Sequence, residues 1–460
     1  SNGVGSSTQL FQVSIPSSDD SSRTALPNPG QSPYSDPVQL TNYSVDIDNL
    51  LVSGITSADN SVSRTLLAIS ARVYPNMSMD DSKAELKRRS LEGGESLVFD
   101  SLFIRHWDEY MDGRRNHIFL MTADQQSTVS TDTADTADTA DMADMANTAL
   151  TTTTVLSSPL DIMLSYDSDA PTRPNGSPDS EWSFSVTGRQ FSFVRQTYDS
   201  QSKVAWNTNL DIYTVELELV ASVVGKDHVL GIRTPPTCRT CDNLGSDSHP
   251  SYSPKDENTL IYLSMVTPGY ESDRYRLKMI NTTITATTTT TTAAYGADDE
   301  PSSYDLTPDW TMSINSVTWQ SNGKGVYITY DDDGHQHIDM FASLEDVTRM
   351  VYTRFNSTGV SGSVAVPKDG DEFFLFTQTS FVNPSNIYLK CLSSNHPLCG
   401  DATLPLPLTT AFNQFELSKC SLTQARSITF QSRDPEGQPI QIQGWIHLPP
   451  LFDRTQKYPA

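Results

Sequence analysis

No window of the chain holds the roughly 18 consecutive apolar residues that a membrane-crossing helix needs, so no membrane partner is expected. Basic residues are scarce, 31 Lys and Arg against 56 Asp and Glu, for a formal net charge of −25. Without a basic stripe to neutralise phosphates, nucleic acid is not an expected partner. The acidic excess suits a soluble protein whose self-repulsion falls as pH drops. Cysteine is sparse, with five residues. Cys238 and Cys241 form CRTC, Cys391 and Cys399 bracket a short loop, and Cys420 stands alone. A structural zinc site takes four ligands at matched spacing, and CRTC has no second CxxC, so no metal is expected. Two local disulfides, Cys238–Cys241 and Cys391–Cys399, are the expectation for a secreted chain, with inert thiols as the alternative. Helical periodicity is almost absent; SLEDVTRM, Ser343 to Met350, is the best instance. The chain starts at Ser1 with no basic and apolar leader, and both ends read as cut.

What is present points outward from the cell. Asn-x-Ser/Thr triplets occur at Asn42, Asn76, Asn175, Asn281 and Asn356. Threonine-rich tracts add candidate O-glycosylation sites. A secreted or secretory-lumen location is the expectation. Two low-complexity segments lie at Thr131 to Thr154 and at Thr285 to Ala294. Neither carries an apolar face at period 2.0 or 3.6, so neither offsets its ordering entropy by burial. They read as disordered surface insertions, spanning 125–155 and 284–298, at loops between strands.

Outside them one unit recurs. A turn rich in Gly, Asp, Asn, Lys and Ser precedes a short aromatic or β-branched strand. It appears as SADNSVSRTLLAIS (57–70), VTGRQFSFV (186–194), SPKDENTLIYLS (253–264), QSNGKGVYITY (320–330) and PKDGDEFFLFTQ (367–378). Several copies then add an outer strand: NHIFLM, LDIYTVEL, YRLKMI or SNIYLK. Tight turns followed by half-buried strands, repeated at about 45–70 residues, describe an all-β β-propeller with five or six full blades visible. The rival is a run of β-sandwiches, which needs no internal repeat. Residues 1–41, with TQLFQVSIP as an outer strand, read as a partial first blade, and 42–425 as the propeller.

Several stretches resemble the prolyl oligopeptidase family of serine peptidases, in its dipeptidyl-peptidase V and acylaminoacyl-peptidase-like branch. They are VYPNMS (73–78), DSLFIRHWDEYMDGRRNHIFL (100–120), AWNTNLDIYTVEL (205–217), YLSMVTPGYESDRYRLKMI (262–280), TPDWTMSINSVTWQSNGKGVYITYDDDG (307–334) and LFTQTSFVNPSNIYL (375–389). The resemblance implies a propeller of about seven blades capping an α/β-hydrolase domain. Gly444-Trp445, Pro449-Pro450, Phe452-Asp453 and Lys457-Tyr458-Pro459 match the family's link between the two. Residues 426–460 therefore read as a linker and first strands leading to a hydrolase domain that the sequence does not include. The nucleophile motif G-x-S-x-G is missing; in GVSGS, Gly359 to Ser363, Gly362 follows Ser361 directly. No catalytic residue is assigned, no cofactor is implied, and the chain alone is expected to be inactive.

The implied role is to wall a dipeptidyl-peptidase site and contact the peptide substrate's ammonium terminus, which needs carboxylates or carbonyls around it. Candidate carriers are Arg105, His106, Trp107, Asp108 and Glu109 on one loop and Tyr270, Glu271, Asp273 and Arg274 on another. Their alternatives are structural: an Arg105–Asp108 ion pair, Trp107 in a blade core. In DDDGHQHID, Asp331 to Asp339, His335 and His337 either hold a metal or sit on an acidic turn, and the turn is favoured. Rival functions are a non-enzymatic binding or scaffold propeller and an acylaminoacyl-peptidase relative.

Overall fold

Alternating apolar residues dominate the strands, and each alternation feeds two different cores. The computed structural model describes residues 8–13, 36–92, 98–99, 102, 104–106, 108–130, 149–173, 176–196, 206–221, 228–283, 303–355, 359–393, 404–409 and 416–458. The chain divides into two units, Ser1–Ser251 and Tyr252–Ala460.

In the first unit, one sheet runs in the order Ile47–Thr56, Ser63–Val73, Arg115–Ser130, Ala149–Leu156, all antiparallel neighbours. A second follows as Trp182–Phe184, Gln190–Arg195, Asp211–Ala221, His228–Cys238. Along Ser63–Val73, Leu66 and Ala68 enter a core shared with Phe191, Phe193 and Val215 of the second sheet. Leu67, Ile69, Ala71 and Val73 point the other way, onto Phe119 and Met121. A strand buried on both faces follows from period-2 alternation when both alternate sets are apolar. Each large side chain so buried contributes about 1.5–3 kcal/mol. The turn at Gly188 (φ +68°) passes so close to the first sheet that a Cβ there would lie 1.9 Å from the Gly54 carbonyl oxygen, and only glycine fits.

In the second unit the strands run Thr259–Ser264, Arg276–Asn281 and Tyr304–Asp305 as antiparallel neighbours. Next come Ile314–Trp319, Val326–Asp332 and His335–Phe341, then Val360–Ala365, Phe373–Ser380, Asn383–Cys391 and Leu406–Pro407. The last two sheets join through one parallel pair, Gln336 with Val360. Val326, Ile328 and Tyr330 pack with Ile261, Leu263 and Leu277, whereas Tyr327 turns to Phe374 and Phe376. Among the described residues there are thus five antiparallel meanders whose strands follow chain order, and three packed pairs of them lie within the units. This is the blade arrangement of a β-propeller, and the strand order excludes Greek-key sandwiches.

Two expectations are corrected. Helix is not confined to SLEDVTRM, which forms Leu344–Thr348; a longer helix spans Met79–Glu92. Ser78 starts it, its Oγ accepting from the Asp81 amide at 3.1 Å, and Glu85 pairs with Arg88 and Arg89 at 2.7 Å each. The first insertion is also shorter than 125–155, because Gln125–Ser130 and Ala149–Leu156 continue the first sheet's ladder. β-branched threonine suits a strand once a partner supplies its hydrogen bonds. Residues 131–148 and the second insertion, 284–298, lie outside the described residues.

Candidate functional site

The first candidate loop is a two-residue hairpin in which Arg105–His106 pairs with Glu109–Tyr110. Trp107 and the side chain of His106 lie outside the described residues. Arg105 and Asp108 are exposed, and the Arg105 guanidinium sits 5.7 Å from the centre of the Tyr110 ring. The ion pairs of this loop belong to Glu109. Its Oε1 accepts from Arg72 Nη1 and, at 3.3 Å, from Arg173 Nη1. Arg173 also donates to Asp169 at 2.8 Å and to the Arg114 carbonyl at 2.9 Å, and Arg115 pairs with Asp167 at 2.6 Å. Glu109 is therefore held by two cations within a network, which fixes its position beside an exposed rim.

The second loop lies in the second unit, so it is described separately. Asp273 accepts from the amides of Val266 and Thr267 at 2.9 Å and of Arg274 at 2.7 Å. Desolvation raises its pKa, yet these backbone donors outweigh that and hold the carboxyl down at about 2. Asp273 thus organises the loop, and Arg274 reaches back to the Thr307 carbonyl at 3.5 Å. Tyr270 and Glu271 are the members displayed to solvent.

The terminal hairpin, Arg426–Arg433 with Pro439–Ile446, docks onto the acidic turn at Asp331–His335. Gln443 Nε2 donates to the Asp333 carbonyl at 2.9 Å. Trp445 covers Gly334 (φ +71°), where a Cβ would come within 2.8 Å of the indole. The rings of His335 and Phe381 lie 5.6 and 5.7 Å from Trp445. Behind the hairpin is a cavity of about 380 Å³, lined by Phe381, Leu422, Leu448, Pro449, Pro450 and Tyr458 with Ser421, Thr423 and His447. That volume falls in the range of small-molecule pockets. Thr423 Oγ1 is committed to the Leu448 carbonyl at 2.7 Å, and Tyr458 OH accepts from the Asp453 amide at 3.0 Å.

The histidines of the acidic turn serve packing. His335 Nδ1 lies 2.9 Å from the Asp333 carbonyl oxygen, and His337 stacks obliquely on Tyr330 at 5.7 Å. Asp339 is buried and takes bonds from Tyr330 OH at 2.7 Å and Arg354 Nε at 3.2 Å. Ser361 of GVSGS is buried in a strand, with Gln378 Nε2 3.4 Å from its Oγ. Cys238 and Cys241 are joined as a disulfide; Cys391 is disulfide-bonded, and Cys399 lies outside the described residues. Cys420 is free and exposed. Asn42, Asn76 and Asn281 are exposed, while Asn175 and Asn356 lie outside the described residues. No helix among the described residues is long and apolar enough to cross a membrane.

Compared with curated proteins, the chain is 25% identical over 368 residues to a probable dipeptidyl-peptidase 5 of Aspergillus niger, covering 79% of this chain and 42% of the relative. It is 22% identical to dipeptidyl-peptidase 5 of Schizosaccharomyces pombe over 79% of this chain and 42% of that protein. With dipeptidyl-peptidase 5 of Porphyromonas gingivalis the figures are 21%, 80% and 42%. These relatives agree in name, and the chain is similar to dipeptidyl-peptidase 5 proteins. The chain spans less than half the length of the curated relatives it matches. No family model matches it. Among solved structures, apo prolyl oligopeptidase B from Galerina marginata aligns with 86% of this chain and 46% of its own at 11% identity and a TM-score of 0.38. The Pyrococcus horikoshii acylaminoacyl peptidase covers 89% of this chain and 51% of its own at 10% identity and a TM-score of 0.34. These alignments are too distant to transfer residue roles.

Sequence reasoning missed Arg72 and Arg173 as the partners of Glu109. They lie 37 and 64 positions away, and no local pattern announces such pairs. It also missed the Trp445–Gly334 contact, although glycine after three aspartates signalled a left-handed turn.

Proposed function

We propose that the chain is the substrate-gating propeller portion of a secreted serine peptidase that releases dipeptides from peptide N-termini, and that its partners are the peptide and an α/β-hydrolase domain carrying the nucleophile. The observation that carries this reading is the terminal hairpin. It is exposed along most of both strands, with Phe430, Ile440, Trp445 and Ile446 partly at the surface, near an almost fully exposed Leu451. A lone two-stranded hairpin is marginal in water, and a face of this kind calls for a covering partner. Its residues also match the family link at Gly444-Trp445, Pro449-Pro450 and Lys457-Tyr458. The dipeptidyl-peptidase names of the relatives supply the substrate class.

An antibody raised against this chain would recover the natural protein, which is then treated with a fluorophosphonate probe and a set of dipeptidyl and N-acylated chromogenic substrates. The expected result is a labelled serine outside these 460 residues, glycan on the secreted form, and turnover of dipeptidyl substrates. The recombinant chain alone is expected to turn over neither substrate class. An unlabelled, inert natural protein would leave the scaffold reading in its place, and a preference for N-acylated substrates would replace the dipeptidyl one.

A further inference from the structure

Cys238 ends the strand His228–Cys238, and a turn in which the Asn243 amide bonds the Thr240 carbonyl at 2.8 Å follows it. Across the ladder Cys238 pairs with Tyr213, and Asp211 lies two residues away on the same face. A carboxylate oxygen of buried Asp211 and the sulfurs of Cys238 and Cys241 all lie within 4.8 Å of one another. Among the described residues this is the single cluster of three ligand-type side chains that close. Its surroundings orient it. Asn209 Nδ2 donates to Asp211 Oδ2 at 3.3 Å. Tyr213 OH is 3.6 Å from Cys241 Sγ. Buried Arg195, held between the rings of Tyr166 and Tyr213 at 4.0 and 4.2 Å, donates to that phenol at 2.9 Å. A cation therefore backs the hydroxyl that faces the sulfur, which favours a thiolate there. Cys241 is exposed, so a reductant reaches it.

We propose that Cys238, Cys241 and Asp211 form a redox-gated site for a zinc-class divalent cation, shut as the disulfide and opened by a dithiol. A thiolate of the dithiol attacks Cys241 Sγ, and Cys238 leaves as a thiolate. The second thiol then attacks the reductant's own sulfur in the mixed disulfide and releases Cys241. Two electrons pass to the protein, the dithiol becomes a disulfide, and its two protons go to the protein thiols. Metal binding displaces those protons. C-x-x-C is a chelating spacing, and Asp211 supplies the third ligand that the sequence does not place beside it. The exposed side of Cys241 leaves a fourth position for water.

The test reduces the full chain with dithiothreitol, desalts it anaerobically and titrates it with Co²⁺, reading the thiolate-to-metal and d–d bands. Reduced wild type is expected to bind one equivalent that Zn²⁺ displaces, and oxidised wild type none. Cys241→Ser abolishes binding. Asn209→Ala weakens it about tenfold, as loss of an orienting partner does, and Asp211→Asn weakens it further. Cys391→Ser leaves it unchanged, although reduction opens that disulfide too. On wild type alone, Zn²⁺ should slow alkylation of Cys238 and Cys241 and leave that of Cys420 unaltered, by peptide mapping. Failure of the reduced chain to bind Co²⁺, binding that survives Cys241→Ser, affinity undiminished in Asp211→Asn, or alkylation indifferent to Zn²⁺ would each overturn the proposal.

Discussion

Glu181 sits at the end of the short helix Pro178–Glu181, buried, with no cation beside it among the described residues. Its Oε2 accepts from the Thr172 amide at 2.7 Å, and its Oε1 lies 2.5 Å from Thr172 Oγ1. Desolvation outweighs those two bonds and, with the Asp169 charge, pushes the carboxyl up to about 7 from 4.5. Between those values the native state holds a proton that the unfolded chain has released. Stability from this group is therefore complete below pH 4.5, falls as pH rises to about 7, and is flat beyond. At about 1.4 kcal/mol per unit the loss totals about 3 kcal/mol. Glu181→Gln mimics the protonated acid: its NH₂ donates to Thr172 Oγ1 and its carbonyl accepts the Thr172 amide. Urea unfolding of both proteins from about pH 4 to about pH 8 measures the difference directly, since other carboxylates cancel. The variant is expected to match wild type at the acid end and exceed it by about 3 kcal/mol at the alkaline end. Parallel profiles, or a wild type that gains on the variant as pH rises, would refute the reasoning.

Three further perturbations test the loops and caps. Asp273→Ala removes the acceptor for three amides, so hydrogen exchange across Val266–Arg274 should accelerate, for a local cost of about 1 kcal/mol. Gly334→Ala brings a Cβ within 2.8 Å of the Trp445 indole at a positive φ, and should release the hairpin at a cost of about 1–3 kcal/mol, read as a red shift and greater quenching of Trp445 emission. Ser78→Ala deletes the acceptor for the Asp81 amide and should lower stability by about 1 kcal/mol, measured by urea unfolding, without altering the sheets by circular dichroism.

The blades were legible because two local signals coincide. QSNGKGVYITY and PKDGDEFFLFTQ combine a tight-turn composition with period-2 apolar residues, and both became a turn followed by a strand, Val326–Asp332 and Phe373–Ser380. The helix Met79–Glu92 escaped notice because it buries little, Met79 and Ser82 among its residues, and so shows no apolar stripe. Its stability comes from its cap and from Glu85–Arg89 pairing, signals that stand in MSMDDSKAELKRRS for a reader who weighs charge spacing. The candidate loops were legible as loops, but not the duties of their members. Asp273 became a scaffold, Glu109 a member of an arginine network, and Glu271 and Tyr270 the displayed groups.

By itself the sequence determined the recurring turn-plus-strand segments and the apolar alternation they bury, because both depend on neighbours one to four positions apart, whereas the threonine-rich strand Ala149–Leu156 needed its ladder partner. It also carried the similarity to dipeptidyl-peptidase 5 proteins. Only the tertiary structure decided that Arg72 and Arg173 restrain Glu109, that Asp211 stands beside the CRTC sulfurs, and that Trp445 lies on Gly334. Those contacts join residues on different strands or turns, and strand register and chain folding, which no local pattern encodes, bring them within reach.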